Sequence, residues 1–323
     1  MKIKRTLQPY IEDEKIVFGF GNATLVRTVP YTEDNACLVK KLDKYDTSDT
    51  GKYTKEELKK VEQWRCMGLL TNNDYSDNRY SRNINFFEWI DVSRNLDPST
   101  YQRQLEQKTV LIVGLGGIGG NVSEILTRLG VKKLILLDFD IVDISNLTRQ
   151  SVFREKDIGR PKVDIVKAYL KEIDSNTEIK TLSKKILSKE DLTKIYEEYD
   201  FDLALCCADK PTVKIDHWFD DLSYQYDRPL IVGSYASTVI NYASIKPGKT
   251  ESLHKFYGEN MITDDNLLKN EVPTSIISPI SYMSAGLIAY RAFFELVELD
   301  NVMPDALQLD LLNWQVIQYD LSK

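Results

Sequence analysis

Cysteine is scarce in this sequence of 323 residues, and no two cysteines form a Cys-x-x-Cys pair. A disulfide framework needs more cysteines at regular spacing, and a four-cysteine zinc site needs two such pairs. The composition therefore excludes both, and we expect no zinc. The cysteines are Cys37, Cys66, Cys206 and Cys207. The last two lie inside an apolar run and are expected to pack in a core.

The sequence also lacks an excess of positive charge and any long apolar run. Its net charge is −7, which argues against nucleic acid or an anionic membrane as the main partner. No apolar stretch approaches the roughly 20 residues that span a bilayer, and the first ten residues lack the apolar centre of a signal peptide. We expect a cytoplasmic protein that binds neither nucleic acid nor membrane. The histidines, His217 and His254, are isolated and are expected at the surface or in packing.

The length predicts about two domains. Within residues 1–75, Lys15–Val29 has two β-type runs around Gly-Asn, which is typical of a hairpin, and Lys55–Trp64 is helical after a threonine N-cap. These features predict a small α+β module of winged-helix type; the alternative is an extension that only adds to a dimer interface. Thr71–Arg82 is rich in turn formers and is interpreted as a linker. Residues 76–323 then form the second domain.

The segment Thr109–Asp140 has the order strand, glycine loop, helix, strand. Val110–Val113 is a short apolar run, and Leu134–Leu137 is a second one that ends at Asp138. Between them stand an amphipathic helical pattern and five glycines: Gly114, Gly116, Gly117, Gly119 and Gly120. Glycines let the backbone approach phosphate oxygens, the helix start offers free N–H groups, and the acidic residue can accept from ribose hydroxyls. The segment predicts a nucleotide site.

The rest of the chain alternates between helical and strand-type segments. Predicted helices cover Phe86–Asn95, Pro98–Gln107, Val163–Ile173, Lys189–Tyr196, Val213–Leu222 and Ile280–Leu296. Predicted strands cover Glu178–Ile186, Leu203–Cys207, Leu230–Val232, Tyr242–Lys246 and two stretches within Leu307–Tyr319. This alternation predicts an α/β fold with a Rossmann-like, doubly wound, mostly parallel sheet and helices on both faces. The polar segment Glu251–Glu271 is too long for an ordinary connection and is a candidate mobile loop or lid.

Five ordered motifs resemble the ThiF/MoeB superfamily, the adenylating fold shared with ubiquitin-activating enzymes. They are GLGGIGG, LLDFD, SNLTRQ, DIGRPK and the Ala-Asp that ends a central strand. Within the superfamily, Asn78–Asn83, the N-terminal module and Pro247–Tyr257 are most similar to MccB-type enzymes, which modify ribosomally made precursor peptides. The enzyme that matures pantocin A is close in type. The resemblance covers essentially the whole chain, most tightly from Arg79 to Asp209.

The resemblance implies a role for each motif of the nucleotide site. Asp138 would hold the ribose hydroxyls of ATP, and Asp140 would support the same loop. The triphosphate would lie along the glycine loop, at Gly114, Gly116, Gly117 and Gly119. The alternative hypothesis for this loop is an NAD-dependent oxidoreductase, which also uses a glycine loop and an acidic residue. That hypothesis gives no role to the phosphate-binding side chains described next.

The resemblance also implies a set of phosphate-binding and catalytic residues. Asp209 would hold Mg²⁺, and the remaining residues would contact phosphates: Asn146, Arg149, Lys162, Arg82 and Arg79. The two last would reach the γ-phosphate across a homodimer interface. Cations and a metal can offset the charge that builds on the α-phosphorus. The structural alternatives are ordinary surface cations for Arg149 and Lys162, a helix N-cap for Asp209 and a solvated linker residue for Arg82.

The sequence departs from the superfamily where members hold zinc between two Cys-x-x-Cys pairs. Ser252–Lys255 stands at the matching place, and the second pair is absent. No cysteine lies where related activators carry a thiol, so transfer to an enzyme thioester, with a ubiquitin-like carrier protein as partner, is disfavoured.

The function predicted is ATP- and Mg²⁺-dependent activation of a carboxylate or amide of a ribosomally made precursor peptide, bound through its leader by residues 1–75. The expected outcome is dehydrative cyclisation in antibiotic biosynthesis. The first alternative is attachment of a nucleotide to the peptide C-terminus through a phosphoramidate. The second is a non-catalytic protein that docks leader peptides for another enzyme.

Overall fold

The computed structural model describes residues 1–19, 26–91, 97–257, 275–299 and 303–323. The chain divides into two compact units, Met1–Arg103 and Gln104–Lys323. The boundary expected after residue 75 lies inside the first unit, and the functional division at that residue stays a prediction. Among the described residues, no helix combines the length and the apolar character needed to cross a bilayer.

The first unit contains two small antiparallel sheets. Strands β2, β3 and β4 pair in that order, and β1 pairs with β5. Their bounds are Lys2–Ile3 (β1), Tyr10–Glu12 (β2), Lys15–Phe18 (β3), Arg27–Pro30 (β4) and Leu70–Thr71 (β5). The antiparallel pairing of β3 with β4 confirms the predicted hairpin. Its Gly-Asn turn lies outside the described residues.

Helices α1 and α2 lie between β4 and β5 in the chain, and α3 and α4 follow β5. Their bounds are Glu33–Lys44 (α1), Lys55–Cys66 (α2), Ser81–Ile90 (α3) and Pro98–Gln107 (α4). The predicted capping box is present in α2, where Thr54 accepts from the Glu57 backbone and the Glu57 carboxylate accepts from the Thr54 backbone. Trp64 meets Phe18 edge to face, with ring centroids 5.8 Å apart. This pair lies in a core that also takes buried leucines from α1.

Helix α3 begins five residues before the start predicted for it. The Asn78 side chain accepts from the Tyr80 backbone N–H at 2.9 Å, and the Asn78 carbonyl accepts from the Ser81 N–H. This Asx turn starts the helix at Ser81, in a stretch whose polar composition suggested a linker. Arg82 therefore lies in the first helical turn, and the interpretation of the segment up to Arg82 as a linker is wrong at its end. Residues 92–96, which include the predicted end of this helix, lie outside the described residues.

The second unit is built on one sheet of eight strands in the order β13-β12-β11-β10-β9-β6-β7-β8. The five strands from β10 to β8 are parallel, and β11, β12 and β13 are antiparallel. This confirms the predicted mostly parallel sheet. The bounds are Thr109–Val113 (β6), Lys133–Leu137 (β7), Glu178–Leu182 (β8), Leu203–Cys206 (β9), Leu230–Ala236 (β10), Val239–Ile245 (β11), Ala306–Asp310 (β12) and Gln315–Tyr319 (β13).

The described part of this unit has six α-helices, which form two contacting groups. In one group α5 packs against α6 and α10, and in the other α8 packs against α7 and α9. Their bounds are Gly119–Leu129 (α5), Lys162–Ile173 (α6), Lys189–Glu198 (α7), Lys214–Tyr226 (α8), Leu253–Tyr257 (α9) and Ser278–Leu296 (α10). Residues 258–271 of the candidate lid lie outside the described residues.

A group of buried charges joins α10 to β11. Arg291 and Glu295 are fully or almost fully buried and form an ion pair, and the ammonium of Lys246 lies 2.8 Å from the other oxygen of Glu295. The Ser244 hydroxyl also donates to Glu295. Removing one partner of such a buried pair is costly, because it leaves an uncompensated charge in the protein interior.

The chain reverses its direction of winding across the sheet at β6. From β6 it proceeds to β7 and β8 on one side, and it returns to β9 on the other side. The loops that leave the carboxyl ends of β6 and β9 therefore separate and open a crevice, which is the usual ligand site of such sheets. The Gly114 loop and Asp209 follow these two strands.

Substitution of Gly119 is expected to destabilise the fold. A Cβ there would lie 1.8 Å from the Gly114 carbonyl oxygen, and backbone cannot yield as a side chain can. Gly119→Ala should lower the free energy of unfolding by about 3 kcal/mol or more. Gly286→Ala, in α10 with no atom within 4 Å of the added carbon, should raise it by about 0.5–1 kcal/mol. Urea unfolding of both variants measures the difference, and equal stabilities would contradict the described packing.

Candidate functional site

A cleft of about 1170 Å³ lies at the carboxyl ends of the parallel strands. It brings together nine residues that are far apart in sequence and were singled out as candidates. They are Gly114, Gly116, Gly117, Asp138, Asp140, Asn146, Arg149, Lys162 and Asp209. The sheet topology explains the clustering, because every one of these residues follows a parallel strand or begins the helix after it.

The glycine loop leaves no space for a side chain at Gly114 or at Gly117. Gly114 has φ +89°, and a Cβ there would lie 2.7 Å from the Cys207 carbonyl oxygen. A Cβ at Gly117 would lie 2.6 Å from Ser281 Oγ and 2.7 Å from Tyr235 Oη. The loop backbone thus forms the cleft wall, and no side chain caps the start of α5, whose free N–H groups favour an anion. Gly119 is not part of the wall and instead packs beneath Gly114.

Asp138 is held in one orientation at the end of β7. Its Oδ2 accepts from the Leu115 backbone N–H at 2.6 Å, and its Oδ1 accepts from the Asp140 N–H at 2.8 Å. The residue is buried. Each carboxylate oxygen has two lone pairs, so both keep one acceptor position for a ligand hydroxyl.

Lys162 and Asp140 form an ion pair in the cleft wall. The Lys162 ammonium lies 3.0 Å from Asp140 Oδ2, and the two backbones are joined by an N–H···O bond of 2.9 Å. Lys162 is buried, whereas about half of the Asp140 side chain is exposed. The ammonium has three donors and uses one on Asp140, so it can also donate to a phosphate oxygen.

Arg149 and Gln150 carry polar atoms that are buried without a hydrogen-bond partner. The Arg149 Nη1 donates to the Ser145 carbonyl, whereas within the described ranges neither its Nε nor Gln150 Oε1 has a partner. Both residues line the cleft beside Asn146, whose side chain caps a 3₁₀ turn by accepting from Asp143 N–H. Buried polar atoms are usually bonded, so these orphaned atoms fit a polar ligand. Gln150 was not predicted, although it ends the SNLTRQ motif.

Asp209 is not the only carboxylate at its end of the cleft. Asp216, in the first turn of α8, also lines it. Burial, reinforced by the charge of Asp209, raises the pKa of Asp216 to about 6, although the Cys206 thiol donates to its Oδ1 at 3.4 Å. The sequence analysis missed Asp216; its position seven residues after Asp209, where a helix begins, was the available signal. Within the described ranges no group of three or more potential metal ligands is present.

The cleft continues past Asp209 over β10 to β13, where neutral polar and aromatic side chains line it. They include Tyr235, Asn241, Tyr257, Gln308 and Tyr319. Burial raises the pKa of the Tyr235 and Tyr257 hydroxyls, so both stay protonated at neutral pH. None of these residues was predicted, because strand register and, for Tyr257, the packing of α9 place them beside the nucleotide loop.

The two histidines face each other outside this cleft, and the expectation that they are isolated is wrong. Their ring centroids are 4.0 Å apart, and His254 Nε2 lies 3.1 Å from Asp221 Oδ1. Burial and the neighbouring ring lower the pKa of His217. Packing of α9 on α8 brings together residues that are 37 positions apart in the chain.

Arg79 and Arg82 belong to the first unit. Arg82 is exposed in the first turn of α3, and the Arg79 guanidinium lies 5.9 Å from the centroid of the Tyr80 ring. Their predicted reach to the γ-phosphate stays a prediction.

A glycine loop at the reversal point of a doubly wound sheet, a buried carboxylate after the next strand and buried polar atoms with unused hydrogen-bonding capacity define a Rossmann-type nucleotide-binding fold. The ThiF family model matches residues 80–321. The chain therefore belongs to the ThiF family.

Relatives of established name resemble parts of this chain. The molybdopterin-synthase adenylyltransferase of Haemophilus influenzae is 38% identical over 133 residues, which are 41% of this chain and 53% of that protein. The adenylyltransferase and sulfurtransferase MOCS3 of Culex quinquefasciatus is 34% identical over 177 residues, 55% of this chain and 37% of that protein. The chain thus spans about half the length, or less, of these two relatives.

Solved structures resemble the whole chain in fold. The crystal structure of E. coli MccB with ATP has a TM-score of 0.82 at 20% identity and covers 100% of this chain and 96% of its own. The crystal structure of PaaA has a TM-score of 0.79 at 19% identity, with 98% of each chain covered. At these identities the likeness shows the fold.

Lys162→Gln is expected to weaken binding of an ATP analogue about tenfold to a hundredfold. A hydrogen bond from a charged donor contributes about 1.5–3 kcal/mol, and glutamine cannot supply the charge. Lys167→Gln, on the exposed face of the same helix, is the matched control and should bind as the unmodified protein does. Titration calorimetry with a non-hydrolysable ATP analogue gives both affinities; equal affinities would remove Lys162 from the phosphate site.

Proposed function

We propose that this protein uses ATP and Mg²⁺ to activate a carboxylate or amide of a ribosomally made precursor peptide by nucleotidyl transfer, and that the activated group is then closed into a ring with loss of water. The observation that carries this proposal is that one cleft contains both a glycine-loop phosphate site and a chamber lined by polar and aromatic side chains. At about 1170 Å³ the cleft exceeds the upper end of the range typical of small-ligand sites, about 300–1,000 Å³.

The residues around the glycine loop fit a triphosphate. A nucleotide supplies an α-phosphorus to which a substrate oxygen can be joined, and the chain's own groups offset the charge that develops there. Arg149 and Lys162 line the wall as cations, and the free N–H groups at the start of α5 add partial positive charge. Fixed donors of this kind need no reorganisation during the reaction.

Asp209 is the residue we assign to Mg²⁺. Its carboxylate is the hard oxygen ligand that Mg²⁺ prefers, and this ion commonly takes only one or two protein carboxylates, with phosphate oxygens and water as its other ligands. A single carboxylate therefore fits such a site even though the described residues contain no larger ligand group.

The N-terminal module is proposed to bind the leader of the peptide as an added strand. Strands β2 and β4 are the two edges of its three-stranded sheet. All three residues of β2 are exposed, including Ile11. An exposed strand edge presents unpaired backbone groups that an extended peptide can pair with. The likeness to MccB supports this assignment, since that protein was crystallised with its MccA peptide.

We further propose a homodimer in which Arg82, with Arg79, reaches the γ-phosphate bound by the partner subunit. The exposed position of Arg82 at the start of α3 supports this role. The proposed location is the cytoplasm, and antibiotic biosynthesis is the proposed context.

Intact-mass spectrometry tests the proposed function. The protein is incubated with ATP, Mg²⁺ and synthetic peptides that correspond to short reading frames beside its gene. We expect one peptide to lose the mass of water, with release of AMP. A gain of one nucleotide would establish the phosphoramidate alternative instead. No change in any peptide, with ATP binding confirmed separately, would contradict catalysis and favour the docking role.

Backbone methylation of the leader tests strand addition. An edge strand pairs with a neighbour through every second backbone amide. Two leader peptides, one N-methylated at the odd residues and the other at the even residues, should therefore differ in affinity. We expect one to bind at least tenfold more weakly than the unmethylated leader and the other to bind equally well, by fluorescence anisotropy with the full chain. Equal binding of both would rule out pairing at a strand edge.

A further inference from the structure

The proposed cyclisation needs a proton acceptor. When a peptide nitrogen attacks an activated carboxyl carbon, a C–N bond forms and the C–O bond to the nucleotide phosphate breaks, with its electron pair leaving on AMP. The nitrogen must then lose a proton. A positioned base contributes about 10²–10⁴-fold to such a step.

Most acidic groups of the cleft are already engaged. Both oxygens of Asp138 accept backbone N–H groups, and Asp140 is paired with Lys162. Asp209 is the residue assigned to the metal. Buried tyrosines stay protonated, and neither histidine lines the cleft.

Asp216 differs from these groups in its surroundings. It lies on the wall of the chamber past Asp209, and among the described residues it has no ion-pair partner. The Cys206 thiol at its Oδ1 is a weak donor. The charge of Asp209, which follows β9, raises the pKa of Asp216, and the charge of Asp216 raises the pKa of Tyr257 on α9. In the part of the chain that the structure describes, the carboxylate is therefore partly buried, is destabilised by the charge of Asp209 and is not fixed by a cation.

We propose that Asp216 is the general base of the cyclisation step and accepts the proton of the attacking peptide nitrogen. This inference rests on the proposed function in its cyclising form. The proton passes from nitrogen to a carboxylate oxygen of Asp216 as the C–N bond forms, and it returns to solvent after AMP leaves.

The decisive experiment separates activation from ring closure. With the peptide that wild-type protein cyclises, Asp216→Asn should release pyrophosphate at a rate within about threefold of wild type but form cyclic product at least a hundredfold more slowly. Added hydroxylamine, which attacks an activated carboxyl group without a protein base, should be captured by the variant as peptide hydroxamate. Asp216→Glu should recover part of the product. Asp221→Asn, five residues along α8 and outside the cleft, should behave as wild type.

Other outcomes overturn the inference in distinguishable ways. Normal cyclisation by Asp216→Asn would remove the base role and leave the proposed function intact. Loss of pyrophosphate release together with product would place Asp216 in activation. Wild-type protein that releases no pyrophosphate with any peptide would overturn the proposed function, and the base role with it.

Stability supplies a readout that needs no substrate. Because burial raises the pKa of Asp216 to about 6, the folded chain holds a proton that the unfolded chain loses near pH 4. The contribution of the Asp216 carboxyl group to the free energy of unfolding is therefore fully present below about pH 4 and is lost as the pH rises through 6. Without nucleotide or metal, Asp216→Asn should melt about 2–4 °C above wild type at pH 8 and equally at pH 4. If the ionised Asp216 side chain instead stabilised the fold, Asp216→Asn would melt at a lower temperature than wild type at pH 8.

Discussion

At the adjacent carboxyl ends of β6 and β9, the backbone of Gly114 packs directly on the backbone of Cys207 and leaves no room for a side chain. The Gly114 N–H donates to the Leu137 carbonyl, and the Cys207 N–H donates to the Val113 carbonyl. Gly114 lies against the Cys207 carbonyl, and Gly119 lies against Gly114. This contact sets the direction in which α5 leaves the sheet, and with it the direction of the helix N–H groups. The cleft wall, the position of Asp138 and the opening toward Asp209 all follow from it.

The charges around the cleft are distributed unevenly. On the side of the glycine loop, Lys162 is buried beside Asp140, and Arg149 has a buried N–H with no partner among the described residues. On the opposite side, Asp209 and Asp216 share one end of the cleft. An incoming phosphate is attracted to the first side, and a metal ion or an acidic proton to the second. Arg291, Glu295 and Lys246 do not line the cleft, so their ion pairs do not compete for its ligands.

Much of this architecture could be predicted from the sequence, because the signals are local. The βαβ unit, the capping box of α2 and the hairpin of β3 and β4 depend on residues within a few positions of one another. The start of α3 was missed, since an Asx turn and a linker have the same composition. Asp216, Tyr257 and the paired histidines were missed for another reason: their significance depends on packing of α8 and α9, which no local pattern encodes. Arg79 and Arg82 were found only through the resemblance to a family, and their roles stay predictions.

The sheet is parallel over the strands that carry the nucleotide loop and antiparallel over β11, β12 and β13. The parallel strands are tied to their crossover helices, so a change in one of them disturbs the phosphate site. Short turns join β10 to β11 and β12 to β13, whereas α9 and α10 lie in the chain between β11 and β12. The three antiparallel strands contribute Asn241, Gln308 and Tyr319 to the chamber. Mutations in these three strands can alter the shape of the chamber while the glycine loop stays intact. Under the proposed function, the division of the sheet thus lets natural selection change the accepted substrate separately from the energy source of the reaction.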